Sequence, residues 1–115
     1  MTFSSDVVAK VAIRLFGLME AERVLQALDQ CSAAVPAAER DRVRLAVLKL
    51  CDEDPGRSLD KWSTAARTDY RDVLLWAECP GEASAGARVR PSPAELKRLR
   101  AADHQQYEAW LKGVA

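Results

Sequence analysis

Few residues in this chain are of a type and spacing that could do chemistry. The single histidine, His104, follows Asp103 in the polar stretch 101–106. On a helix, neighbouring side chains point about 100° apart, so Asp103 cannot orient the imidazole. Glu108, four residues on, can approach it, but a surface pair of this kind is not a nucleophilic triad. Cys31, Cys51 and Cys79 lie 20 or more residues apart, without a CxxC arrangement. A structural zinc needs three or four ligands at short spacing, and these cysteines with one histidine do not supply them. They read as free thiols in a reducing cytoplasm.

Carboxylates come next. Asp52-Glu53-Asp54, with Asp60 nearby, is the densest acidic group. It fails as a calcium loop, because Arg57 stands where glycine is needed and Ser63 where glutamate is needed. These carboxylates are expected to be solvated beyond a helix end. Asp69 differs: it lies about 20° from Trp62 on a helical wheel and so falls inside an apolar face. A buried carboxylate needs a partner, and the expectation is a buried salt bridge to Arg40, Arg42 or Arg44. No second carboxylate, glycine-rich loop or nucleophile accompanies Asp69 to support an acid–base role. No catalytic set converges, so the reading is a non-enzyme with no cofactor and no metal.

Arg88, Arg90, Lys97, Arg98 and Arg100 form a basic segment around a helix start, suited to phosphate or an acidic partner. No aromatic residue is interleaved to stack bases, and no tight turn precedes a basic recognition helix. Nucleic-acid association through residues 88–100 is therefore the alternative reading, not the first. Residues 80–115 carry a net charge of +2 and residues 1–79 a net −2. Docking of this segment on the rest of the chain would use the same charges.

The elements that must position these residues are helical. The 115 residues are 49% hydrophobic and 30% charged, with 17 basic and 17 acidic groups. That is one soluble domain, neither disordered nor low in complexity, with no global field to steer it to nucleic acid or lipid. The N-terminal residues lack the basic start of a secretory signal. The longest apolar runs, such as Val73-Leu74-Leu75-Trp76-Ala77, fall far below the roughly 18 residues of a membrane span. A preference for Arg over Lys (12 against 5) and abundant Ala fit a bacterial source.

Apolar spacing predicts an all-α bundle of four to five helices and no strands. The first starts at Ser4 or Ser5, and Gly17 either breaks it or is absorbed, so residues 4–31 are two helices or one long one. A helix over 36–51 carries a stripe broad enough for a central element, with Val43, Val47 and Leu50 flanked by Leu45 and Leu48. Ser58 caps a helix over 59–79 whose face holds Leu59, Trp62, Ala66, Tyr70, Val73 and Ala77. Residues 80–92 read as a flexible loop or linker. Ser92-Pro93-Ala94-Glu95 is a capping box that opens a last helix over 93–112, ending at Gly113. Across 36–80, RVRLAVLKL and SLDKWSTAARTDYRDVLLWAE with Asp69-Tyr70-Arg71-Asp72, the chain resembles short, uncharacterised all-helical bacterial proteins. That resemblance implies a helical fold and no activity.

Three residues do not fit the 59–79 face. Leu74 lies about 90° from its centre, Leu75 about 170° away, and Trp76 about 70° off on the opposite edge. A helix apolar most of the way round is either sandwiched by the chain's own terminal helices or covered by a partner. Leu74, Leu75 and Trp76 are thus the candidate interface. The function read from the sequence is protein–protein interaction or self-association as a homodimer, without membrane attachment.

Overall fold

A computed structural model of the chain describes residues 4–86 and 91–113. They form six α-helices and a short 3-10 turn: α1 (Ser5–Phe16), α2 (Leu18–Cys31), the turn Ala37–Glu39, α3 (Arg40–Glu53), α4 (Leu59–Glu78), α5 (Pro80–Gly86) and α6 (Pro93–Leu111). The all-α bundle is as the apolar spacing predicts, with one more helix than the upper expectation. Ser4, Ser58 and Ser92 cap α1, α4 and α6, their hydroxyls accepting from the N–H of Val7, Lys61 and Glu95 at 3.3, 3.3 and 3.2 Å. Each satisfies a donor that the first helical turn leaves unpaired. Gly17 separates α1 from α2 at φ 86°, ψ 161°, a conformation essentially open only to glycine. Residues 4–31 are therefore two helices.

α3 is the centre of the bundle. Every residue from Val43 to Cys51 except Arg44 is buried. Val8, Val11 and Ala12 of α1, Val24, Leu28 and Cys31 of α2, Val73 and Ala77 of α4, and Tyr107 of α6 share this core with it. Leu28, Leu45 and Leu48 are fully buried, each stabilising the fold by roughly 1.5–3 kcal/mol through surface removed from water.

Three expectations about the elements change. Pro36 precedes the 3-10 turn, so α3 starts at Arg40. Part of the 80–92 loop is helical, because Asp103 of α6 supplies the cap that the local sequence lacks. Its carboxylate accepts from the N–H of Gly81 at 3.0 Å and of Glu82 at 3.1 Å. A Cβ on Gly81 would lie 2.8 Å from the Asp103 Oδ1, so only glycine permits this approach. The third change is at Asp69, where α4 is not one continuous helix. With φ −156° and ψ 98°, Asp69 is extended and joins two helical stretches across a kink.

Candidate functional site

The exposed side of α4 is the candidate site. The kink sets its geometry. The Asp69 carboxylate accepts from the Arg71 N–H at 3.0 Å, which caps the second stretch of α4. Asp69 is consequently exposed and forms no salt bridge with Arg40, Arg42 or Arg44; the wheel that placed it on the apolar face assumed an unbroken helix. The arginines on α3 take other partners. Arg42 grips Glu78 in a two-point contact at 2.8 and 2.5 Å, tying α3 to α4. Arg44 pairs with Asp29 at 3.0 Å and Asp41 at 3.1 Å. Arg40 donates to the carbonyls of Val35 and Ala33.

Past the kink, the three apolar residues separate. Leu74 turns inward at 8% exposure, while Leu75 and Trp76 remain 41% and 42% exposed. The chain's own terminal helices do not sandwich the end of α4; α3 holds the enclosed place instead. Leu75 and Trp76 flank a ridge with a cleft on either side. On the α3 side, a cleft of about 400 Å³ is walled by Glu39, Arg42, Tyr70, Leu75, Glu78 and Cys79. On the other, a cleft of about 320 Å³ runs past Lys61, Ala65, Thr68, Asp69, Asp72 and Trp76. The Trp76 ring meets Trp62 edge-on, with centroids 6.3 Å apart and planes at 70°, so its orientation is held from within.

The remaining candidates are structural. Asp52 accepts from the Trp110 indole N–H at 2.8 Å, and Asp54 from the Trp62 indole N–H at 3.2 Å. Asp54 also accepts from the Gly56 N–H at 3.0 Å, a bond that holds its carboxyl below the usual range. Glu53 pairs with Lys49. The acidic group is therefore not simply solvated; it receives tryptophans from α4 and α6. His104 approaches Glu108 at 3.3 Å on the surface of α6. In the basic segment, Arg100 pairs with Glu82 at 3.2 Å, Lys97 and Arg98 are exposed, and Arg88 and Arg90 lie outside the described residues. The five are not brought together into one described patch.

All three cysteines are free thiols. Burial raises the thiols of Cys31 and Cys79 and pushes that of Cys51 up to about 12, which leaves them poor nucleophiles near neutrality. Among the described residues, no group of three or more His, Cys, Asp or Glu is placed to hold a metal ion, and no helix is long and apolar enough to cross a membrane. Sequence reasoning missed the pair Lys49 and Tyr107. Lys49 is 1% exposed, with its ammonium 5.9 Å from the Tyr107 ring centroid. The breadth of the α3 stripe was the available signal, since a helix buried on all sides has no outward position left for a lysine. The Tyr107 hydroxyl is buried without a partner among the described residues, and burial raises its pKa. Compared with protein-family models, curated proteins and solved structures, the chain matches none.

Proposed function

We propose that this protein is a cytoplasmic, non-enzymatic association domain of bacterial type, which binds another protein or a second copy of itself through the exposed side of α4. One observation carries the reading: Leu75 and Trp76, large apolar residues next to each other, stand two-fifths exposed on a ridge between two clefts. A single exposed leucine needs no explanation, but an adjacent leucine and tryptophan bordered by concave surface is the form of a contact centre with a polar rim. The three free thiols support a reducing compartment.

The test is photo-crosslinking in cells with a photoreactive phenylalanine analogue at position 76, and at exposed position 98 as control. A discrete protein adduct at 76 and none at 98 is expected. No adduct at 76 overturns the reading. A nucleic-acid adduct at 98 with none at 76 replaces it with a role for the basic segment.

A further inference from the structure

We propose, building on the association reading, that the occupant of the Trp76 cleft is a second copy of this chain. The two α4 helices would pack antiparallel across a two-fold axis between Ala65 and Thr68. The order of charge along the cleft carries the inference. Lys61 stands at its N-terminal end, while Asp69, Asp72 and the Trp76 ring stand toward its C-terminal end. Among the described residues, neither Asp69 nor Asp72 takes part in an ion pair, and Lys61 rests over the Trp62 ring at 4.7 Å. A uniformly basic partner would meet Lys61, and a uniformly acidic one, nucleic acid included, would meet Asp69 and Asp72. Each fits one end only.

A second copy fits both. An isologous two-fold contact pairs residue i with j and j with i, so reversing the helix brings each Lys61 to the other copy's Asp72, with Trp76 one turn beyond. The ammonium then gains a carboxylate and an exposed indole face. Ala65 and Thr68 line the middle of the cleft, where short side chains let two helices approach to about 8–10 Å. Trp76 adds an apolar ring at each end of the contact.

The experiment is a charge swap read by sedimentation equilibrium over a range of protein concentrations. Wild type is expected to dimerise. Lys61→Glu and Asp72→Lys are each expected to weaken the dimer by about tenfold or more, because like charges then face each other. The double variant is expected to recover the wild-type constant, because the swapped charges pair again. Both side chains are exposed, so thermal unfolding of the variants verifies that they fold. A wild type that stays monomeric overturns the inference, as does a dimer indifferent to either reversal or one not restored by the double swap. Crosslinking at position 76 separates the two readings. An adduct of twice the chain mass supports both, and an adduct with a different protein leaves the association reading standing while this inference falls.

Discussion

α3 and α4 are both apolar beyond a single stripe, yet one is enclosed and the other is not. Between Leu45 and Cys51, α3 carries one charge, Lys49, and even that is buried. α4 carries Asp60, Lys61, Arg67, Asp69, Arg71 and Asp72 along its exposed side, with Leu75 and Trp76 beyond them. A domain of this size has interior room for one helix surrounded on all sides. The apolar surplus on a second helix then stays at the surface, where it is available to a partner. The lesson is that stripe width alone does not name the enclosed helix.

The sharpest way to break this comparison is to truncate one leucine in each helix. Leu48→Ala in α3 is expected to cost about 2–5 kcal/mol of unfolding free energy, measured by urea denaturation at low protein concentration. Leu75→Ala in α4 is expected to stay within about 0.5 kcal/mol of wild type under the same conditions. Similar losses would mean that both helices are core elements.

The thiols sharpen it next. Cys51 has its pKa raised from 9.0 to about 12 by burial. Above pH 9 the unfolded thiol ionises while the folded one keeps its proton, so its contribution is complete below pH 9 and is lost as pH rises toward 12. Stability should fall by about 1.4 kcal/mol per pH unit in that window for this one group. The slope difference between wild type and Cys51→Ala, followed by denaturation at stepped pH, measures it. In the native protein, a thiol reagent should label Cys79, at the end of α4, before buried Cys31 and Cys51. Simultaneous labelling would mean that the core around Cys31 and Cys51 opens as readily as the end of α4.

A smaller effect is expected at the kink. Asp69→Ala removes the acceptor for the Arg71 N–H and should cost about 1 kcal/mol, as loss of a helix cap does. An unchanged stability would show that tertiary packing, not the carboxylate, holds α4 bent. The smallest effect belongs to Tyr107→Phe. Its hydroxyl has no partner to lose, so unfolding free energy should change by less than about 0.5 kcal/mol. A larger loss would reveal a hydrogen bond between α6 and the buried flank of α3.

Helix starts and stops were legible wherever the signal was local. Ser4, Ser58 and Ser92 cap their own following turns, and Gly17 and Gly113 take positive φ angles of 86° and 79° that favour glycine. The breadth of the α3 stripe could be read from its own leucines and valines, because the width of a stripe is a property of one helix. Leu75 and Trp76 were legible as misfits on the α4 wheel for the same reason. Whether α4 or α3 was the enclosed helix was not.

What the sequence determined by itself is the set of features that depend on residues within about four positions of one another: caps, breaks, apolar faces and the absence of strand alternation. Only the tertiary structure decided features whose partners lie far apart in the chain. Asp103 caps a helix that starts 23 residues before it, so no reading of 80–92 alone could have found α5. Trp110 docks on Asp52 across 58 residues, and Arg14 donates to the Trp110 carbonyl across 96. Asp69 left the apolar face because one extended residue reset the helical phase, which a uniform wheel cannot register. The physical reason is common to the contacts of Asp103, Trp110 and Arg14. Local signals act through short covalent connections present in any conformation, whereas these contacts exist only once the helices have packed.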